Sequence, residues 1–249
     1  MEIKKAIIPV DVTITPIPQS TILKTDEMRS VMDQHTIQPI IEEAIRSGIE
    51  SILIVIGGEG ISTETEGEPL NKEHIQLQKE IQSLNNNTKI HYVHHNKSAG
   101  LSNAILSAET FIEDEPFAVL ESVDIFISET PALEQLIQVF HDFETQLIGV
   151  KQVGEMEVNK YGIIDSSGKS DDIYLVTDLI DRPAIHHAPS NIAVMGRYIL
   201  KPSIFPVLRR LEKEDQNDDQ WTEALYKISR QEELLALELE GNHLGIEAI

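Results

Sequence analysis

Thr36–Gly58, TIQPIIEEAIRSGIESILIVIGG, is the stretch whose reading decides the fold. Ile37, Ile40, Ile41 and Ala44 recur at helical spacing, with Thr36 placed to cap the helix and Gly48 to stop it. Pro39 falls in the first turn, where its missing N–H is tolerated. Ser51–Ile56 follows as a nearly unbroken apolar run ended by Gly57 and Gly58. A strand apolar at almost every position is covered on both faces, so this helix-then-strand unit belongs to a buried, largely parallel sheet.

The same alternation extends to both sides. Strands are predicted at Ala6–Val10, Ile90–Val93, Phe117–Leu120 and Leu147–Val150. Helices are predicted over Glu73–Leu84 and Ala99–Ile112, and from Thr130-Pro131 through Phe140, with Thr130 as cap and Pro131 at the first helical position. After residue 150 the pattern changes. Tyr161–Asp165 and Ile173–Val176 flank Ser166-Ser167-Gly168, which predicts a hairpin turning at those three residues. A strand at Ile192–Met195, helices near Ser203–Leu211 and Trp221–Ser229, and a strand at Leu234–Leu239 complete the chain. Asn85–Asn87 and Glu59–Glu68 are expected to be surface loops. The expected fold class is α/β, a doubly wound, Rossmann-like mixed sheet in one domain spanning residues 1–249.

Composition excludes several roles. With 20 basic and 42 acidic residues the net charge is −22, which repels phosphodiester backbones and anionic lipid, so neither nucleic acid nor membrane is an expected partner. No 18-residue apolar run predicts a membrane span. The short apolar run after Met1-Glu2-Ile3-Lys4-Lys5 is too brief for a signal-peptide core. There is no cysteine, hence no disulfide framework and no thiolate metal site. These features together predict a cytoplasmic protein. His91, His94 and His95 share one predicted strand, where alternation splits them between faces and weakens any reading as a metal site.

In an open α/β sheet, ligands sit outside the carboxyl ends of the strands. The segment beginning Ala6-Ile7-Ile8-Pro9, followed by Glu27-Met28 and by Thr36–Glu50, resembles the UTP–glucose-1-phosphate uridylyltransferases, whose pattern is A-I-I-P-A-A-G-x-G-T-R, then P-K-E-M, then T-I-Q-x-I-x-E-E-A-x-x-S-G-I-E. Asp114–Leu120, Lys160–Asp165, Ala188–Asn191 and Gly196-Arg197-Tyr198 extend the likeness over nearly the whole chain. The resemblance implies a nucleotidyltransferase fold with a nucleotide-side half over residues 1–150 and a sugar-side half, carrying the hairpin, over residues 151–249.

The departures fall where triphosphate and metal are handled. The family's glycine loop admits backbone N–H groups to a triphosphate with no Cβ in the way. Here Val12 and Ile14 occupy the two glycine positions, Pro16 the arginine and Asp26 the lysine. No Lys or Arg occurs from Ala6 to Leu23. Val123 stands at the first magnesium aspartate, and Glu240-Gly241-Asn242-His243 runs straight into Leu244-Gly245 where the family carries its second. The resemblance therefore implies no cofactor here, the family's magnesium ligands being lost, and no catalytic residue is assigned. Asp11 and Asp124, both expected at strand ends over one crevice, are a pair from which a relocated metal site could be built.

The sugar side is better kept. Gly162 sits on the hairpin, Asp181-Arg182-Pro183 replaces Glu-Lys-Pro, and Asp218 falls at a sugar-binding glutamate. In the base-reading loop Gly100 persists, while His95 replaces a glutamine and Ser102 a glycine. Gly100, Gly162, Asp181, Arg182 and Asp218 are thus the candidate substrate-binding residues. Two readings follow. One is a non-catalytic relative that binds a nucleotide sugar or sugar phosphate, or that pairs as a homo- or hetero-oligomer with an active transferase in cell-surface polysaccharide metabolism. The alternative is an active, diverged sugar-1-phosphate nucleotidyltransferase. The family's C-terminal dimer-building elements have no counterpart in this sequence, so its usual oligomer is not assumed.

Overall fold

Continuous apolar strands bury both faces of a sheet only if helices cover both, and the chain is built that way. The computed structural model describes residues 1–11, 37–57, 88–95, 100–122, 124–170, 172–214 and 220–245. Nine strands form one sheet: β1 (Lys5–Asp11), β2 (Ser51–Gly57), β3 (Lys89–His95), β4 (Phe117–Leu120), β6 (Gln146–Gln152), β7 (Gly162–Ser170), β8 (Ile173–Asp181), β9 (Ile192–Leu200) and β10 (Leu234–Glu238). Their order is β3-β2-β1-β4-β9-β6-β10-β8-β7. A separate two-stranded ribbon pairs β5 (Asp124–Ile127) with β11 (Asn242–Gly245).

β1, β2, β3 and β4 run parallel, as do β6 and β10. β9 lies antiparallel between β4 and β6, and the β7–β8 hairpin is antiparallel, so the sheet is mixed. Side-chain alternation sends Ala6, Ile8, Ile52, Ile54, Ala118 and Leu120 to one face. There they meet α1 (Ile37–Arg46) and α4 (Ala132–Phe143) through Ile40, Ile41, Leu136 and Phe140. Ile7, Leu53, Val55, Phe117 and Val119 face the other layer. That layer holds α2 (Gly100–Ser107), α3 (Glu109–Ile112), α5 (Ile204–Glu214) and α6 (Trp221–Ser229).

Three local expectations are corrected. The helix predicted over Ala99–Ile112 is two helices broken at Ala108. The helix predicted from Thr130-Pro131 begins at Ala132, with Pro131 in the capping position at extended ψ 140 and Thr130 one residue further out. Thr130 contributes its carbonyl, accepting from Ser128 Oγ at 2.6 Å and Gln135 Nε2 at 2.9 Å. The hairpin does not turn at Ser166–Gly168. Those residues lie within β7, which runs to Ser170, at two register shifts against β8. A bulge and a turn draw on the same small residues, which is why the sequence did not separate them. The ribbon β5–β11 was not foreseen. The helix over Glu73–Leu84 and both predicted loops fall outside the described residues.

Candidate functional site

The carboxyl ends of β1 and β4 open toward the turn that starts at Glu121, and a buried ion pair holds that turn. Glu43, on the core face of α1, is 8 % exposed, and Arg197 in β9 is fully buried. Arg197 Nε donates to Glu43 Oε1 at 2.9 Å and Nη2 to Glu43 Oε2 at 2.8 Å. Nη1 donates to the carbonyls of Glu121 (3.2 Å) and Gly196 (3.1 Å), and Nη2 also to that of Asp124 (2.6 Å). Every N–H of the guanidinium is therefore used. Glu43 Oε1 further accepts the Leu133 N–H at the start of α4, 3.0 Å away. Burial opposes the arginine's charge, but the carboxylate of Glu43, joined by those of Asp124 and Glu121, outweighs it and holds the group above its ordinary pKa. Arg197 thus grips both ends of the turn that delivers Asp124 to the crevice.

Beside it the Tyr198 hydroxyl donates to Glu121 Oε1, and the Tyr198 ring meets Trp221 edge-on at 5.2 Å. Trp221 is 5 % exposed and belongs to the core. Burial first, and the charge of Glu121 second, push the Tyr198 phenol well above its ordinary pKa. The folded protein keeps that proton while an unfolded tyrosine loses it near pH 10. Stability from this group is complete below about pH 10 and falls above it by about 1.4 kcal/mol per pH unit until the raised native value is reached. Alkaline melts should show this slope, and Tyr198→Phe should flatten it; an unchanged slope in the variant would assign it to another group.

Asp124 opens β5, and its Oδ1 lies 2.6 Å from His243 Nε2 on β11, with side chains 14 % and 9 % exposed. The His243 ring packs 5.2 Å from Phe126 and 6.2 Å from Tyr161. The segment leading into β11 is clamped by Lys151, whose Nζ donates to the carbonyls of Leu239 (3.3 Å) and Gly241 (2.7 Å). Gln135 accepts the Glu240 N–H at 2.8 Å.

Of the residues singled out from sequence, Gly162, Asp181 and Arg182 come together. Gly162 opens β7 and pairs with Asp181, the last residue of β8. Arg182 follows at φ 39, its N–H donating to the Tyr161 carbonyl at 3.0 Å, and its side chain is 72 % exposed. A Cβ on Gly162 would meet Leu179, Thr222 and Val194 only at 3.8 Å, ordinary contact, so packing does not require glycine there. Gly100 lies apart, exposed at the start of α2 beyond β3. Asp218 is outside the described residues, as are Val12, Ile14, Pro16, Asp26 and Val123. His91 is exposed, its ring tilted against Phe111 at 5.4 Å, while the side chains of His94 and His95 are not described.

Glu43, Arg197 and His243 were missed. The signal for the first was present: a carboxylate three residues after Ile40 on an otherwise apolar helix face needs a buried cation. A resident magnesium does not fit the donor set of the described residues. Among the described residues no group of three or more His, Asp or Glu side chains is gathered to hold a metal, and Asp124 is already engaged by His243.

The nucleotidyl transferase family pattern matches residues 21–243. A curated UTP–glucose-1-phosphate uridylyltransferase of Bacillus subtilis, YngB, is 42% identical over 98% of this chain and 85% of its own. That of Staphylococcus epidermidis is 37% identical over 98% and 88%. Among solved structures, a UDP-glucose pyrophosphorylase complexed with UDP-glucose superposes with a TM-score of 0.80 at 30% identity, covering 98% of this chain and 93% of the other. With a family match over most of the chain and curated relatives at this identity, the chain belongs to the nucleotidyl transferase family, among the UTP–glucose-1-phosphate uridylyltransferases.

Proposed function

We propose that this chain is a diverged sugar-1-phosphate uridylyltransferase of slow turnover, and that glucose-1-phosphate or UDP-glucose is held beside Gly162, Asp181 and Arg182. The observation that carries the reading is the pairing that sets Gly162 against Asp181, with Arg182 exposed at the adjoining strand end. A carboxylate and a cation so placed suit a sugar phosphate, with Asp181 for hydroxyls and Arg182 for the phosphate. The nucleotide would lie over residues 1–150 and the sugar over residues 151–249. In the transfer a phosphate oxygen of the sugar phosphate attacks the α-phosphorus of UTP, the α–β phosphoanhydride bond breaks, and pyrophosphate leaves. The absence of cysteine supports a cytoplasmic setting. Likeness over 98% of the chain to a curated uridylyltransferase favours transfer over binding alone.

A second reading, binding a nucleotide sugar or pairing with an active transferase without turnover, is favoured by one specific feature. No Lys or Arg lies between Ala6 and Leu23 to neutralise a triphosphate, and the donor set of the described residues does not fit a resident magnesium. Cationic groups of this kind account for about 10³–10⁵ in phosphoryl-transfer rates. Pyrophosphate release from UTP, supplied with magnesium, and glucose-1-phosphate should therefore be detectable, roughly 10³–10⁵ slower than for the Bacillus subtilis relative assayed beside it. Arg182→Ala should abolish it. No release above the buffer control, with UDP-glucose still binding calorimetrically, would replace the first reading by the second.

A further inference from the structure

Large apolar side chains left in water are unremarkable when scattered and mark contact surfaces when they gather. Met156 is 73 % exposed, Ile185 41 % and Ile180 36 %, three of the seven large hydrophobics exposed among the described residues. The fold brings them to one place. Met156 lies on a 3₁₀ helix, Glu155–Lys160, that leads toward β7, and Ile185 opens a second, Ile185–His187, that follows β8. The two short helices pack against each other. Where they meet the hairpin, Ile163 pairs with Ile180 and Gly162 with Asp181, and the Arg182 N–H donates to the Tyr161 carbonyl. Val158 and Pro183 are buried beneath, so this face is held in shape while Glu155–Glu157 and Ala184–His187 stay outside.

We propose that a second copy of this chain docks on this face, as a twofold dimer. Charge selects that partner. Glu155 and Glu157 stand in the first turn of the Glu155–Lys160 helix and Lys160 in its last, next to the Tyr161 that receives Arg182. The face is therefore apolar at its middle, acidic at one end and basic at the other, on a chain whose net charge is −22. Over most of their surface two such chains repel. A twofold axis through this face removes the repulsion, because it lays the acidic turn of one copy against the basic turn of the other. Each Glu155, which has no ion-pair partner among the described residues, then meets the partner's Lys160, and Met156 and Ile185 close over their counterparts. The proposal stands whether or not the chain turns over substrate, but the dimer sets a neighbour beside Arg182 at the edge of the candidate sugar-phosphate site.

The test is sedimentation velocity of the full chain across micromolar concentrations. Wild type should sediment as a dimer of the 28.0 kDa chain. Met156→Glu/Ile185→Glu should weaken association at least about a hundredfold, since it buries charge at the centre of the contact. Glu155→Lys alone should weaken it about tenfold, and Glu155→Lys/Lys160→Glu should recover most of that loss, because the swap restores complementarity only if the two ends meet across the axis. Melting at a dilution where wild type is monomeric separates lost association from lost folding, and all variants should melt with wild type there. Should the apolar pair melt lower, the exposed charge variants still decide. A wild type that stays monomeric, a dimer untouched by Met156→Glu/Ile185→Glu, a swap that recovers nothing, or association only with the Bacillus subtilis relative mixed in would each overturn the proposal.

Discussion

Arg197→Met should lower stability by about 3–5 kcal/mol, the usual result of removing one partner from a buried ion pair. In a domain of this length that corresponds to a fall in Tm of roughly 6–20 °C. The side chain's volume is largely kept, so the loss is electrostatic rather than a cavity. Glu43 would be left 8 % exposed with its charge uncompensated, and the carbonyls of Glu121, Gly196 and Asp124 would lose their donor together. The double variant Glu43→Met/Arg197→Met should recover part of the loss, because it also removes the stranded charge. Recovery should stay incomplete, since the Leu133 N–H then lacks its acceptor as well. Differential scanning calorimetry of the four proteins in the cycle checks this. A single variant within about 1 kcal/mol of wild type would mean that the pair does not hold the crevice turn.

Much of this arrangement is written locally in the chain, and the part that is not has a common cause. The strands at Ala6–Val10, Ser51–Ile56 and Phe117–Leu120 were legible because each is apolar at nearly every position, a pattern that only a doubly covered strand tolerates. The helix over Trp221–Ser229 appeared as expected because its buried residues Trp221, Ala224, Leu225 and Ile228 recur at helical spacing. The ribbon β5–β11 was not legible. Its two strands of four residues each lie more than a hundred positions apart, and its register, Asp124 against Gly245 and Phe126 against His243, is fixed by pairing alone. His243 escaped notice for the same reason. Nothing near it in sequence hints at Asp124.

Gly162, Asp181 and Arg182 were assigned to one site through family resemblance, and the hairpin does bring them together. Neither chemistry nor spacing alone would have chosen them, since nineteen positions separate Gly162 from Asp181. What resemblance did not supply is the support behind the site. Arg197 lies in the matched Gly196-Arg197-Tyr198 and Glu43 in the matched Glu42-Glu43-Ala44, yet similarity of motif said nothing of their contact. A charged residue inside an apolar pattern is the signal to search for its partner.

Gly196→Ala should cost about 2–5 kcal/mol, and it should disturb the site as well as the fold. Gly196 has φ +57, a left-handed conformation in which a Cβ alone costs roughly 1–2 kcal/mol. The added methyl would also stand 2.9 Å from Glu121 Cβ and 3.2 Å from Asp124 Cβ, and closer still to Asp124 Oδ2. Overpacking of that kind adds about 1–3 kcal/mol when neighbours cannot withdraw. Here they cannot withdraw without loss. The backbone at Glu121 is bonded to Arg197 and by its N–H to the Gly196 carbonyl at 2.8 Å, and Asp124 is bonded to His243. The cheapest relief is for the Asp124 side chain to swing off, which releases His243 from its fixed orientation. Below its own melting temperature the variant should therefore show a changed His243 Nε2 resonance. A core methyl placed elsewhere on the sheet, at equal thermodynamic cost, should leave that resonance in place. Gly196→Ala with a wild-type Tm would show that the turn yields freely, and that Arg197 does not grip it.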